Sequence, residues 1–385
     1  MDRLHDLIQR YCPNGVVFAR IADIADISIG EFVHKSKQSP DGKYPVYNGG
    51  TTNTGFYDDF NRTANKIIIS ARGANAGYVN RVFTNFWSGN SCYSIDVENT
   101  NADWNFVFYC LKNGEKKLLG EQQKGGIPAV SKKQVEQFRI PLPPLAVQQE
   151  IVRILDSFTE LTAELTAELT ARRKQYEHYR DELLTFGDDV PSLPISQIAT
   201  FKYGYTDKAQ DAGDARFIRI TDITDDGCLN PLDAKYINMT EESKKYLLTK
   251  GDLLLARTGA SYGKTLYYPD NSQAVYASFL IKIKPDNTKI LNRFYWHFSK
   301  SSLYWTQAEK LVSKGGQQQF NTGAIGRVLI PVPSLDEQRR IVSILDRFDA
   351  ICNDLASGLP AEIAARQKQY EYYRDKLLMF KELER

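Results

Sequence analysis

The sequence predicts an α+β chain, with two mixed α/β domains joined by two long helices packed as an antiparallel coiled coil in an internal pseudo-two-fold repeat. Three observations predict it. Residues 140–186 return in close copy at residues 330–380. Within each copy apolar residues recur at helical spacing. Ahead of each copy lie short β-like runs broken by Gly, Asn and Asp.

The two copies overlay residue by residue. Ile140, Pro141, Leu145, Gln148, Ile151, Val152, Ile154, Leu155, Asp156 and Phe158 match Ile330, Pro331, Leu335, Gln338, Ile341, Val342, Ile344, Leu345, Asp346 and Phe348 at an offset of 190. Residues 174–186 (KQYEHYRDELLTF) match residues 368–380 (KQYEYYRDKLLMF) at all but three positions, at an offset of 194. The four added residues amount to about one helical turn.

Each copy opens on prolines, which favour an extended approach and then a helix start. In the first copy Ile151, Leu155, Phe158, Leu165, Leu169, Tyr176, Tyr179 and Leu183 form one stripe of a helix. About 35 residues at 1.5 Å each make a rod of about 50 Å. The matching stripe is Ile341, Leu345, Phe348, Leu355, Ile363, Tyr370, Tyr373 and Leu377. Gly358 and Pro360 predict a break there, with Pro360 in the first turn of the continuing helix. Neither stripe can bury itself alone, so the rods are expected to pack on each other. A solvated spacer would show the same rods.

The divisions that follow are residues 1–145 and 187–335 as domains, and residues 146–186 and 336–385 as helices. Residues 1–11 read as a short amphipathic helix ended by Cys12-Pro13-Asn14-Gly15. Strands are expected at 16–18, 44–47, 66–70 and 93–97, then a buried helix at 104–111. The second domain repeats the plan with strands at 217–220, 253–256, 265–268 and 279–283 and a helix at 293–298. The loops correspond too: residues 71–77 (ARGANAG) resemble residues 256–263 (ARTGASYG), and Gly125-Gly126 resembles Gly315-Gly316. Between these anchors the domains differ freely.

Composition is that of an ordinary globular protein, with 42% hydrophobic and 25% charged residues. No apolar run approaches the length of a membrane span, and the opening residues lack a signal-peptide pattern, so a soluble cytoplasmic protein is expected. Five scattered cysteines without a C-x-x-C pair read as buried residues of a reducing compartment. The four histidines have no metal-site spacing. Net charge is only +2, but it is uneven: residues 1–145 and 187–335 each carry +3, while residues 146–186 and 336–385 carry −3 and −1. The globular parts are the basic parts, which permits phosphate contacts.

Catalytic motifs fit poorly. Residues 259–265 (GASYGKT) have three residues between the glycines where a phosphate-binding loop wants four, and a β-like run follows where a helix should begin. Asn230-Pro231-Leu232 does not match the N-P-P-[YFW] turn of amino-methyltransferases. No carboxylate pair with a following lysine stands in a nuclease context.

A binding device remains. Candidate DNA-binding residues in the first domain are Lys35, Lys37, Asn48, Asn53, Arg72, Asn75, Asn90 and Lys124. In the second they are Tyr203, Tyr205, Lys208, Arg219, Arg257, Lys264, Lys314, Gln317, Gln318 and Gln319. Arg and Lys suit guanine in the major groove, and Asn and Gln suit adenine. Any one of these taken singly also reads as a solvated loop residue or a turn Asn.

The repeated I-P-x-P-x-L-x-x-Q-x-x-I-V-x-I-L-D helix start and the K-Q-Y-E-x-Y-R-D-x-L-L-x-F helix end carry a resemblance. So do the TAEL tandem at residues 162–169 and the Cys-Pro-Asn-Gly-Val start. Together they resemble the specificity subunit of type I restriction-modification systems, over essentially the whole chain. The resemblance implies two target-recognition domains, each reading one half of a bipartite site in double-stranded DNA. It implies conserved helices that dock two methyltransferase subunits, with restriction subunits in the wider complex. Methylation and cleavage would then belong to partners using S-adenosylmethionine, ATP and Mg²⁺, and this chain would bind no cofactor and catalyse nothing. The rival is a coiled-coil adaptor whose domains bind protein ligands.

Overall fold

The computed structural model describes residues 2–120, 127–313, 318–354 and 357–383. Lys124, Lys314, Gln317, Leu355 and both predicted Gly-Gly pairs lie outside them. The chain forms two compact units, Met1–Glu164 with Ala364–Arg385, and Leu165–Ile363.

The first domain opens with helix α1 (Asp2–Tyr11), as its apolar spacing predicts. Strands β1 (Val17–Arg20), β2 (Ala25–Ile29), β3 (Tyr44–Tyr47) and β4 (Gly55–Tyr57) follow. Next come β5 (Lys66–Ser70), β6 (Val79–Val82), β7 (Trp87–Ser88) and β8 (Cys92–Val97). Helices α2 (Trp104–Asn113), α3 (Glu115–Gly120) and α4 (Lys132–Gln137) lead to β9 (Arg139–Leu142). Helix α5 (Leu145–Leu183) then runs 39 residues without a Gly or Pro, on helix-favouring Ala, Leu, Glu, Gln and Arg.

The second domain contains β10 (Ser192–Pro194), β11 (Ala199–Tyr203), β12 (Ala215–Ile218) and β13 (Tyr236–Ile237). It continues through β14 (Leu253–Ala256), β15 (Thr265–Tyr267), β16 (Ala274–Tyr276) and β17 (Leu280–Pro285). Helices α6 (Asn292–Phe298), α7 (Ser302–Leu311) and α8 (Thr322–Gly326) precede β18 (Leu329–Pro331). Helices α9 (Leu335–Asn353) and α10 (Leu359–Leu377) close the chain, with Pro360 in the first turn of α10 as expected. The strand predicted at 217–220 starts two residues earlier and gives way to a 3₁₀ turn at Ile220–Asp222.

The two domains share one strand topology. The sheet β2-β8-β5-β6 corresponds to β11-β17-β14-β15, and β4-β3-β7 corresponds to β13-β12-β16. The parallel pairs also correspond, β3 with β7 and β12 with β16. Where β2 and β11 leave one sheet for the other, the backbone passes so close that a side chain has no room. A Cβ on Gly30 would sit 2.0 Å from the Ser88 carbonyl oxygen, and one on Gly204 would sit 2.2 Å from that of Ala277.

Buried polar anchors tie each domain to the start of its long helix. Gln148 and Gln338 are fully buried, and the repeated motif has a physical reason there. Gln148 accepts from the Asp103 N–H at 2.8 Å and donates to the carbonyls of Asn101 and Pro143. Gln338 accepts from the Leu291 N–H at 2.9 Å and donates to those of Lys289 and Pro333. Each amide thereby satisfies backbone groups at a helix start from a fully buried position.

Two turns further, a carboxylate does the same work with charge. Asp156 accepts from the Tyr109 hydroxyl at 2.5 Å and from Arg81 at 3.1 and 3.2 Å. Arg81 lies over the Phe108 ring at 4.4 Å and donates to Asn105. In the second unit Asp346 accepts from His297 and Arg293, both at 2.7 Å, and Arg293 lies over Trp296 at 3.9 Å. Strand registers place Arg81 opposite Ile67 and Tyr267 opposite Leu253, so Arg81 and Tyr267 are equivalent positions. The paired glutamines hold the N–H groups of Asp103 and Leu291, which makes Asn105 and Arg293 equivalent. The guanidinium comes from a strand in one unit and from a helix in the other.

The helices themselves meet through aromatic rings. Phe158 stacks on Tyr373 at 5.5 Å in the first unit, and Phe348 stacks on Tyr179 at 5.5 Å in the second. The first unit is also closed by the last residues of the chain. The Val16 N–H donates to the Lys381 carbonyl at 2.9 Å, and the Leu383 N–H donates to the Val16 carbonyl at 3.0 Å. Gly15 makes this approach possible: its φ is +110°, and a Cβ there would lie 2.5 Å from the Lys381 oxygen. Cys12, Cys92, Cys110 and Cys352 are buried and Cys228 half-buried, and none is in a disulfide.

His297 supplies a pH dependence. Because the Asp346 carboxylate can only accept, His297 Nε2 carries the proton, and Nδ1 accepts from the Tyr176 hydroxyl at 3.1 Å. Burial pushes the imidazole pKa down to about 4, against the Asp346 hydrogen bond. The folded state therefore favours neutral histidine. The resulting stability is complete above the ordinary pKa of about 6.5 and is lost as pH falls from there through about 4, by roughly 3 kcal/mol. Denaturant unfolding of the second unit is expected to show this fall, and His297→Gln to flatten it while lowering stability at pH 7. An equal slope in the two proteins would contradict the assignment.

Candidate nucleic-acid interface

Strands β2, β5 and β8 in the first domain, and β11, β14 and β17 in the second, bring Arg72, Asn75 and Asn90, and Tyr203, Arg257 and Gln319, to one end of each four-stranded sheet. The backbone frame there is the same in both. The Ala71 N–H donates to Ser91, Val130 to Ala71, and Gly73 to Pro128, at 2.8, 2.9 and 2.9 Å. Likewise Arg257 donates to Phe279, Phe320 to Arg257, and Gly259 to Gln318, at 3.1, 2.7 and 3.3 Å. This frame corrects the loop correspondence read from the sequence. Arg257 takes the place of Ala71, and Arg72 takes that of Thr258. Neighbouring residues of an extended chain face opposite ways, so the two arginines are not counterparts.

In the second domain Arg257 gathers a cluster. Its Nε donates to the Ser278 carbonyl at 3.1 Å, and its guanidinium carbon lies 5.3 Å from the Tyr203 ring centre and 5.5 Å from that of Phe279. Nη1 is 3.5 Å from Gln319 Oε1, and the same amide donates to Thr258 Oγ1 at 3.4 Å. The Tyr203 hydroxyl meets Thr322 Oγ1 at 3.3 Å. Tyr203 and Phe279 are 42% and 50% exposed. Gln318 and Lys208 are exposed.

The first domain presents a different set. Arg72, Asn75 and Asn90 are exposed, as are Lys35 and Lys37 on the turn capped by His34. Asn48 is half-buried and accepts from the Ser91 N–H at 3.0 Å, so it shapes the loop beside Asn90. Asn53 is half-buried, with its amide 3.4 Å from the Gly55 carbonyl.

Three predicted residues are engaged elsewhere. Arg219 holds Asp222, which is 1% exposed, at 2.8 and 3.2 Å, and also reaches Asp233. The Asp222 hydrogen bond raises the Arg219 pKa above its ordinary value. Lys264 is bonded to Asp225, whose carboxyl pKa that bond lowers. Tyr205 packs against Tyr246 with ring centres 5.4 Å apart. Sequence reasoning missed Phe279 and Thr322, and also Phe32, which is 64% exposed in the loop carrying Lys35 and Lys37. The apolar run at 279–283 disguised Phe279 as a core residue. Thr322 had no signal except its place after the glutamines.

Among the described residues no group of three or more His, Cys, Asp or Glu is placed to hold a metal ion. None of their helices is long and apolar enough to cross a membrane. The two domains share one topology and show different side chains at the corresponding sheet end.

The family follows from comparison with known proteins. The family model of the type I restriction modification DNA specificity domain matches residues 13–172 and 188–365, and the chain belongs to this family. It is 30% identical over 367 residues to a putative type I restriction enzyme specificity subunit of Haemophilus influenzae, covering 90% of each chain. It is 31% identical over 306 residues to the EcoR124I/EcoR124II specificity subunit of Escherichia coli, covering 71% of this chain and 70% of that one. The crystal structure of the S subunit of a type I restriction-modification system from M. genitalium shares the fold. Its TM-score is 0.62 at 19% identity, over 94% of this chain and 96% of that one.

Arg219 and the exposed cations are expected to separate on mutation. Arg219→Ala leaves Asp222 buried without its cation and should cost about 3 kcal/mol of stability. Lys35→Ala with Lys37→Ala should leave stability within about 0.5 kcal/mol. Thermal or denaturant unfolding checks both, and an Arg219→Ala protein as stable as the parent would refute the structural role.

Proposed function

We propose that this chain is the DNA sequence-recognition subunit of a type I restriction-modification complex, reading a two-part asymmetric site in double-stranded DNA. Residues 1–145 and 187–335 each read one half, and the helices set the unread spacer. The observation that carries this reading is that one strand topology occurs twice with different side chains at the same sheet end. One topology offers one way to approach a groove, and different side chains read different bases there. Methylation and cleavage are assigned to partner subunits that bring S-adenosylmethionine, ATP and Mg²⁺, and the complex is assigned to the cytoplasm. The relatives are specificity subunits, which leaves the adaptor reading without support.

The antiparallel coiled coil is supported by the two aromatic stacks, since each joins the start of one repeat copy to the end of the other. A helical spacer of this kind has a definite increment. Inserting one more TAEL adds about 6 Å and about 40° of rotation, where DNA advances about 3.4 Å per base pair.

A methylation map of cells expressing the chain with its methyltransferase, against the methyltransferase alone, tests the function. A two-part motif that needs this chain is expected, and one extra TAEL should lengthen its spacer by one or two base pairs with both half-sites kept. Absence of a motif with both proteins soluble would sink the function, and an unchanged spacer would sink the ruler.

Equivalent exposed positions recur on the helix ends, Lys174, Glu177 and His178 in one copy and Lys368, Glu371 and Tyr372 in the other. Two such surfaces suit two identical methyltransferase subunits, with restriction subunits added to that core. Native mass measurement of the purified modification complex is expected to give two methyltransferases per chain. A saturated complex with only one would contradict it.

A further inference from the structure

We propose that Arg257 reads a guanine in the half-site of the second domain, and that Tyr203 and Phe279 are positioning residues that hold its guanidinium for that base. The proposal rests on the DNA-reading function above and adds the residue, the base and the supporting rings.

The geometry separates the two ends of the guanidinium. Nε is tied to the Ser278 carbonyl, which fixes the root of the group. Nη1 lies beside Gln319 Oε1 at 3.5 Å, and Nη2 has no acceptor among the described residues. The outer pair of nitrogens carries only the long Gln319 contact, and it is the pair that can span O6 and N7 of guanine in the major groove. Tyr203 and Phe279 place their rings within 5.5 Å of the guanidinium carbon. Such contacts hold a cation by its attraction to the ring faces. They also remove rotamer freedom before DNA arrives, so less is lost on binding. Arg219 shows the contrast in the same domain: its guanidinium is spent on Asp222 and Asp233.

The cluster belongs to one domain only. Where the second domain has Tyr203, Arg257 and Phe279, the equivalent first-domain positions hold Ile29, Ala71 and Ser91. Those side chains cannot build the same reader. The asymmetry of the recognised site therefore has one of its origins at this sheet end.

Arg257→Lys is the discriminating variant, because it keeps the charge and loses the planar fork. Methylation maps of cells expressing the methyltransferase with the parent chain, with Arg257→Lys or with Phe279→Leu are compared. In the parent motif one position of the second half-site is expected to require a G·C pair. Arg257→Lys should weaken that requirement on the order of 10- to 100-fold, with the other half-site untouched. Phe279→Leu should weaken it at the same position by a few-fold. A motif unchanged by Arg257→Lys overturns the proposal, since a phosphate contact would accept lysine. Loosening spread over the whole half-site in both variants also overturns it, since that marks a damaged domain. A parent chain that gives no motif counts instead against the DNA-reading function itself.

Discussion

A carboxylate on the inner face of each long helix, Asp156 in one unit and Asp346 in the other, sets the terms for what surrounds it. An aspartate held against a packed domain must keep a cation and at least one further donor, or the domain must give up the contact. The chain meets that demand twice with different parts. In the first unit a strand supplies Arg81 and a helix supplies Asn105 and Tyr109. In the second the strand position is Tyr267, and the helix carries both Arg293 and His297. The carboxylate and an aromatic beneath the guanidinium are constant, and the source of the positive charge is not.

That exchange explains how the domains can differ so freely elsewhere. Their attachment depends on a buried glutamine, a carboxylate and a ring, and their internal frame on backbone hydrogen bonds that any side chain can accompany. The glycines at 30 and 204 are fixed for a backbone reason, because the strand passes a carbonyl there. Side chains at the sheet ends answer to neither constraint.

Much of this was legible in the sequence. The repeat, the helices, the break before Pro360 and most strands followed from periodicity and punctuation, which are local signals. Gln148 and Gln338 were visible as matched residues, although their task of capping a buried helix start was not. The candidate site was legible by region more than by residue. Aligning ARGANAG with ARTGASYG by their shared arginine put Arg72 opposite Arg257, and a one-residue slip in an extended segment reverses the face. Arg219 and Lys264 read as free cations because their partners, Asp222, Asp233 and Asp225, are set by folding. Phe279 was hidden because an exposed ring at a strand start looks like core until the sheet ends there.

The pairing of Val16 with residues 381–383 has a consequence for the order in which the molecule is completed. The second unit is one continuous stretch, Leu165–Ile363, and every residue it needs is made before residues 364–385. The first unit borrows Ala364–Arg385, so a domain begun before the second unit is closed only after it. Until then its edge at Val16 waits for residues 381–383, more than 360 residues away in sequence, and the loop that joins them already contains the second unit.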